Sequence, residues 1–289
     1  MIKVNNVIKE METLAPICLK EDFDNVGLMV GDRNKEVKKV LLALDCTLKV
    51  IEEAKDENVD LIITHHPLIF RKPSSITTDT LQGKKIIELI KNDISLYASH
   101  TNLDSVENGL NHTIVSILGF NDSIILEKNN RDDSAGLGRL VSLDEEISLE
   151  ELVSKIKGAL NISNLRVVKG KDKVSKIAII NGSGQDFIAK AVSKGADCII
   201  TGDTTYHFAS DYKEMGINIL DVGHFASEQV TFFNVMERLK EKLDIKESIV
   251  YGSSDSICDV IVPDNDFNSI VKSIHNEYEG IQMKRRQPQ

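Results

Sequence analysis

Short, continuously apolar runs alternate with segments of helical spacing through most of this 289-residue chain, and this alternation limits its possible folds most strongly. The runs at 40–44 and 60–64 have the length and apolar content of strands that are buried on both faces. Segments 47–57, 81–92 and 106–118 repeat apolar residues at helical spacing. Buried strands joined by helices are typical of a largely parallel sheet with helices on both faces, so the sequence predicts an α/β fold.

The alternation contains an internal repeat. Residues 40–64 align with residues 177–201 without gaps at a constant offset of 137, and both segments begin and end with a predicted strand. In a second register, residues 100–104 align with residues 224–228. Each of these segments starts with His, ends with an acidic residue and follows a short apolar run. This ordered recurrence predicts two related α/β halves with mixed, largely parallel sheets.

The pattern also divides the chain into parts. Residues 1–120 form the first α/β half, and residues 176–262 form the part that repeats it. Residues 121–175 have a different pattern, with a glycine-containing strand, and we assign this intervening segment to the second half. Residues 263–289 predict an additional C-terminal helix and tail.

Composition and charge exclude several classes of protein. The formal net charge is −10, which argues against broad nucleic-acid binding because such binding requires a basic surface. The four cysteines are widely spaced and indicate reduced thiols rather than a disulfide framework or a zinc knuckle. No apolar run approaches the ~20 residues that cross a bilayer, and the amino-terminal segment does not resemble a signal peptide. We expect a soluble cytoplasmic protein without membrane contact.

Two adjacent histidines, His65 and His66, follow the apolar run at 60–64, and Pro67 stops the strand there. The carboxyl ends of parallel strands are where α/β folds hold their ligands. Because consecutive strand side chains point to opposite sides, the two imidazoles are poorly placed to chelate one ion and well placed to bind two neighbouring ions. The alternative is a pair of polar loop histidines that cap the strand, and this fragment alone favours neither.

Histidine–carboxylate pairs at four-residue spacing occur twice, as His224 with Glu228 and as His100 with Asp104. In a helix this spacing places both side chains on one face, with Cβ atoms about 5–6 Å apart. A solvated helix start explains a single pair equally well. Together, however, these residues offer imidazole and carboxylate ligands without a thiolate, a set that suits Zn, Fe, Mn, Ni or Co. A carboxylate between two ions is the usual bridge in two-metal hydrolytic sites.

Two further patterns lie near predicted strand ends. In segment 182–184, two glycines flank a serine, and backbone amides there could bind phosphate, although a tight turn is the more frequent reason for such a pattern. Asp203 and His207 follow the run that the repeat matches to 60–64. We expect these two residues to line the pocket or to hydrogen-bond the metal ligands.

Five short motifs follow one another along the chain. They are DNVGL at 24–28, HHPL at 65–68, HTNLD at 100–104, ITGD at 200–203 and GHFASE at 223–228. In this order they resemble the motifs of the GTP cyclohydrolase 1 type 2 family, the Nif-three-like proteins. The similarity covers residues 3–262, which is nearly the whole chain. Many members carry Trp just before the first motif, where this chain has Phe23, and we expect this difference to be a change in packing.

The resemblance implies a two-domain α/β protein with a dinuclear metal site in the cleft between the halves. Two divalent ions per subunit (Zn, Fe, Mn, Ni or Co) are implied, with a glutamate bridging them. The resemblance also implies that His100 lies near the ions but does not bind them. It also implies a ring-shaped homohexamer, a trimer of dimers, with metal sites that face an internal cavity. The implied ligands are His65, His66, Asp104, His224 and Glu228, with Glu228 as the bridge.

The family name implies a metal-dependent hydrolase that opens the imidazole ring of GTP and releases formate, with a metal-bridging hydroxide as the nucleophile. The expected substrate is therefore a small nucleotide-like molecule, and we expect His100 or His207 to move protons. Two other functions stay open at this point. One is a non-catalytic, metal-binding hexameric scaffold whose metal serves folding, and the other is a phosphoesterase that uses the same two ions.

Overall fold

The computed structural model describes residues 2–243 and 249–252, and these residues form two β-sheets. The strands of the first sheet are β1 (Gly27–Val30), β2 (Val40–Ala43), β3 (Leu61–Thr64), β4 (Ser95–Ala98) and β11 (Ile249–Tyr251). Those of the second sheet are β5 (Ile124–Lys128), β6 (Gly136–Ser148), β7 (Arg166–Val168), β8 (Lys173–Ser183), β9 (Cys198–Gly202) and β10 (Asn218–Asp221).

Parallel strands form the centre of each sheet. The first sheet has the order β1-β4-β3-β2-β11, in which only the β1–β4 pairing is antiparallel. The second has the order β5-β6-β8-β9-β10-β7, in which β8, β9 and β10 run parallel and the other three pairings are antiparallel. The prediction of an α/β fold with mixed sheets is confirmed, and parallel pairing dominates in the first sheet.

Three parallel strands have the same arrangement in both sheets, as the internal alignment predicts. Val40 of β2 pairs with Leu61 of β3, and Ile177 of β8 pairs with Cys198 of β9, so that the paired residues are 21 positions apart in both halves. A third parallel strand then joins each pair, β4 in the first sheet and β10 in the second. Because these strands are parallel, their carboxyl ends lie at one edge of each sheet.

Helices cover both sheets, and several begin at a side-chain cap. Oxygen atoms of Thr47, Thr80 and Ser148 accept hydrogen bonds from backbone N–H groups in the first turns of the helices that follow them. Two short 3₁₀ helices lie at Ile17–Leu19 and Gln185–Phe187. The α-helices are α1 (Val4–Leu14), α2 (Leu48–Asp56), α3 (Leu81–Lys91), α4 (Thr101–Ser105), α5 (Leu110–Ile117), α6 (Leu149–Leu160), α7 (Ile188–Ser193), α8 (Tyr206–Glu214) and α9 (His224–Lys242).

The core continues across both faces of the first sheet. Alternate residues of β2 point to opposite faces, where Leu42 packs in a cluster with α1 and Leu41 packs in a cluster with α2 and α3. Phe232 and Met236 of α9 belong to the cluster on the α1 face. Thus α9, which follows the last parallel strand of the second sheet, packs against the first sheet.

One predicted helix is shorter in the structure. The segment at 106–118 contains α5 only, and the separate helix α4 precedes it. Between the two, Val106 is extended and Asn108 has a φ of +62°, a conformation that interrupts a helix. The predicted C-terminal helix and tail at 263–289 lie outside the described residues. Within the described ranges, no helix combines the length and apolar character that a membrane span requires.

Candidate metal centre

The carboxyl ends of three parallel strands bring the predicted metal ligands together. Two consecutive histidines follow β3, one histidine lies two positions beyond β4, and another opens α9 after β10. The helices α4 and α9 then carry one carboxylate each, four residues after their histidines. The side chains at this meeting point, here called the cluster, are those of His65, His66, His100, Asp104, His224 and Glu228.

The Glu228 carboxylate lies at the centre of the cluster, and its two oxygens face two different groups. Its Oε1 lies 3.7 Å from Nε2 of His65, and this nitrogen is also 3.7 Å from Oδ1 of Asp104. Its Oε2 lies 2.9 Å from Nε2 of both His66 and His224. Those two nitrogens are 3.2 Å apart. One carboxylate therefore joins a His–Asp group to a His–His group.

These separations fit shared cations. Two atoms that bind one tetrahedral ion at about 2.0–2.1 Å lie about 3.3 Å from each other, and the separations in the cluster run from 2.9 to 3.7 Å. Within the described residues, Nε2 of His65 and Oδ1 of Asp104 are buried without a hydrogen-bond partner. Since buried polar atoms are nearly always paired, unpaired atoms that converge in this way indicate a cation site.

A hydrogen bond through Nδ1 orients each of the four histidine rings. The acceptors are the backbone oxygen of Ser99 for His65 (3.0 Å), Asp45 for His66 (2.9 Å), Asp24 for His100 (2.9 Å) and Asp203 for His224 (2.7 Å). In the neutral tautomer that these contacts select, Nε2 carries the lone pair and is available as a ligand. Partners of this kind are typical of metal-binding histidines because they fix both the tautomer and the ring orientation.

The carboxylates make the cluster attract positive charge. Burial opposes protonation of His66, but the hydrogen bonds and charges of Asp45 and Glu228 raise its pKa to about 10. The hydrogen bond with Glu228 raises the pKa of His224 to about 9, with burial opposing and Asp203 adding to the effect. Burial also disfavours ionisation of Glu228, but the neighbouring imidazoles hold its pKa well below its usual range. The negative charge of these carboxylates favours a bound divalent cation, just as it favours a bound proton.

Gly182 leaves the space that the Glu228 carboxylate occupies. A Cβ atom at position 182 would lie 2.0 Å from Oε1 of Glu228 and 3.4 Å from Nε2 of His224. The backbone of Gly182 also has a φ of +64°, a conformation that favours glycine. Its N–H donates to Oγ of Ser227, one residue before Glu228, at 3.2 Å. A close approach between backbone and carboxylate therefore explains the glycine at this position.

We expect Gly182→Ala to weaken metal binding, because the added methyl group would displace the Glu228 carboxylate. The affinity for a divalent metal should fall by about 10- to 100-fold, as measured by competition with a chromophoric chelator. Gly158→Ala in α6 is the matched control, since a Cβ atom there meets nothing within 4 Å. Equal metal affinity in the two variants would contradict the proposed contact.

His100 and His207, the two residues predicted to move protons, lie in different surroundings. A ring nitrogen of His100 lies within 4.8 Å of the ligand nitrogens of His65 and His66, so His100 belongs to the cluster. His207 is exposed at the start of α8, where its ring packs against Tyr206 at a centroid distance of 5.5 Å. It is in neither group of candidate ligands found in the described part of the chain. The role of both histidines in proton transfer stays a prediction.

Asp24 and Asp45 each accept a hydrogen bond from a histidine of the cluster, although the sequence analysis assigns neither carboxylate a role. Asp24 opens the first motif, and its Oδ2 accepts hydrogen bonds from the N–H and hydroxyl groups of Thr101. Asp45 lies two residues after β2, at the same sheet edge as His65 and His66. This position beyond a parallel strand is the signal that identifies Asp45 in retrospect. Asp203 contacts His224, as its predicted place beyond β9 indicates.

Sequence comparison places the chain in a known family. The family model Duf34/NIF3 (NGG1p interacting factor 3) matches residues 2–255. This chain belongs to the DUF34/NIF3 family. A relative from Clostridium perfringens, named GTP cyclohydrolase 1 type 2 homolog, is 60% identical over 244 residues that cover 84% of this chain and 93% of the relative. The resemblance carried by the five motifs is therefore confirmed.

Two solved structures share the architecture of this chain. A Bacillus cereus protein related to NIF3 matches with a TM-score of 0.80 and 28% identity, over 91% of this chain and 99% of that protein. Reduced HcgD from Methanocaldococcus jannaschii matches with a TM-score of 0.77 and 35% identity, over 87% and 98% of the two chains. The two-sheet α/β fold of this DUF34/NIF3 member is therefore that of its structural relatives.

Proposed function

We propose that this protein is a hydrolase with two divalent metal ions, and that it opens the imidazole ring of GTP with release of formate. The name of the Clostridium perfringens relative supports GTP as the substrate. Zn, Fe, Mn, Ni or Co fit the site because its candidate ligands are imidazole nitrogens and carboxylate oxygens. We place the activity in the cytoplasm, in keeping with the free thiols of Cys18, Cys46 and Cys198.

The position of Glu228 supports two ions rather than one. Glu228 is 4% exposed, and each of its oxygens faces a separate group of nitrogen and oxygen atoms. His65, Asp104 and Oε1 would hold one ion, whereas His66, His224 and Oε2 would hold the other. When bound, two such ions supply Lewis acidity and lower the pKa of a bound water from about 16 toward 7.

His100 is the residue of this cluster that is best placed to move a proton. Burial disfavours ionisation of Asp24, but its hydrogen bonds with His100 and Thr101 and the charge of His100 lower its pKa to about 2. The ionised carboxylate of Asp24 therefore holds the proton of His100 at Nδ1, at a distance of 2.9 Å. Nε2 is then the ring atom that can accept a proton from a substrate or deliver one to it.

Formate release from GTP tests the proposed reaction. We expect protein loaded with Zn, Mn, Fe or Co to release formate and chelator-treated protein to release none. The rate should rise with pH through about 7, the range in which a metal-bound water ionises. Phosphate release from a generic phosphoester is measured in parallel. Phosphate without formate would shift the assignment to a phosphoesterase, and neither product with any metal would favour the scaffold and contradict the hydrolase.

We also propose that the protein assembles as a homohexamer, a trimer of dimers, as the family resemblance implies. Homo-oligomers of closed symmetry are the common outcome when copies of one chain associate. In the hydrolase proposal the remaining partner is a small nucleotide-like substrate. In the scaffold alternative, by contrast, proteins would bind to the ring and the metals would serve only folding or assembly.

A further inference from the structure

Phe23 and Phe70 form an exposed pair of aromatic rings. Their centroids are 6.3 Å apart and their planes are inclined by 58°. Phe23 is 68% exposed and Phe70 is 42% exposed, so both rings present carbon surface to solvent. Phe23 is therefore a surface residue that packs against Phe70, and the expected packing difference from the family's Trp stays a prediction. Large exposed rings of this kind commonly mark binding surfaces.

This aromatic pair borders the cluster. The ring of Phe70 meets that of His100 almost at a right angle, with centroids 6.5 Å apart. The His100 ring lies 5.1 Å from that of His65 and 5.6 Å from that of His66. Phe23 directly precedes Asp24, the residue that holds His100. A molecule that contacts the aromatic pair would therefore lie beside the candidate metal ligands.

Positive charge adjoins the aromatic pair along the chain. Arg71 and Lys72 directly follow Phe70, and both are exposed. Neither side chain takes part in an ion pair found among residues 2–243 and 249–252. Within the described residues these two adjacent cations have no acidic partner, although the whole chain carries a net charge of −10. Exposed aromatic rings beside such cations suit a ligand with a planar ring and a phosphate group.

We propose that Phe23 and Phe70 stack against the base of a nucleotide and so select phosphorylated heteroaromatic substrates for the metal centre. This inference rests on the proposed hydrolase function, whose substrate it specifies. The ring edge of the bound base then faces His100 and the cluster, while the phosphates extend toward Arg71 and Lys72. Stacking on an aromatic side chain changes the affinity for a base by about 5- to 100-fold.

A tryptophan reporter tests this contact directly, because the chain contains no tryptophan. In Phe23→Trp, the single indole should be quenched when GTP or GMP is added to the zinc-loaded protein. Ribose 5-phosphate, which lacks a base, should leave the fluorescence unchanged. Ile124→Trp, at a position of similar exposure (63%) in β5, is the control. Equal responses of the two reporters to GMP would overturn the proposal.

Substitution of the rings separates this proposal from the proposed reaction. Phe23→Leu and Phe70→Leu should each raise the KM or Kd for GTP by about 5- to 100-fold, while metal content and oligomer mass stay unchanged. Ile90→Ala, at an exposed position in α3, is the control. Formate release with an unchanged KM in both leucine variants would overturn the stacking and leave the reaction intact. Base-dependent quenching without formate release would instead refute the reaction alone. Loss of the oligomer without loss of nucleotide binding would overturn the stacking and identify the rings as a contact between copies of the chain.

Discussion

Glu228→Ala is expected to lose most of both divalent ions, so that the purified protein contains far less than one metal per chain. The reason is that each oxygen of Glu228 faces a different group, 3.7 Å from Nε2 of His65 and 2.9 Å from Nε2 of His66. A bridging carboxylate serves two ions, and its removal weakens both. Elemental analysis of protein purified without chelator measures the effect, with close to two metals per chain expected for the native protein.

Two comparisons make this result specific. Glu237→Ala, in the same helix, removes an exposed carboxylate that pairs only weakly with Lys240 at 3.7 Å, and it should retain both ions. Glu228→Gln preserves the shape of the side chain, so it distinguishes loss of the ligand from a folding defect in the alanine variant. Loss of a single ion in both Glu228 variants, or of neither, would refute the bridging role.

Asp104→Asn is expected to reduce turnover by about 100-fold or more, because it removes a negative charge from one of the two proposed ions. The side chain keeps its size, and the oligomer mass measured by light scattering should not change. Burial raises the pKa of Asp104, so its ionised form is unfavourable in the folded chain without metal. The melting temperature of the metal-free protein should therefore not fall.

The contrast between turnover and stability distinguishes an enzyme from a scaffold. Asp144→Asn, at an exposed position of β6, is a control that should leave turnover and metal content unchanged. A scaffold would show the reverse pattern for Asp104→Asn, with no turnover in either protein and the effect confined to melting temperature or assembly. That outcome would contradict the hydrolase assignment.

The α/β class and the repeat could be predicted from sequence because both are local properties. Strands such as β2 and β3 are buried on both faces and are therefore continuously apolar, and their spacing recurs in β8 and β9. The order of strands in the second sheet could not be predicted in this way. The pairing of β7 with β10 joins residues that are about 50 positions apart, and no periodicity within a strand specifies its neighbour.

The candidate ligands were accessible to sequence analysis because they follow apolar runs at strand ends. Their supporting carboxylates were harder to identify. Asp24 contacts His100 across 76 residues, a contact that exists only because of how β1 and β4 pair. The same holds for Phe23, because its exposed position beside Phe70 depends on a neighbour 47 residues away in the chain.

The central claim is that Glu228 joins two divalent ions, and anomalous diffraction from crystals of the zinc-loaded protein tests it most directly. We predict two anomalous peaks per chain at the zinc edge, one beside His65 and Asp104 and the other beside His66 and His224, with Glu228 in contact with both. A single peak, or peaks that lie away from these side chains, would contradict the claim.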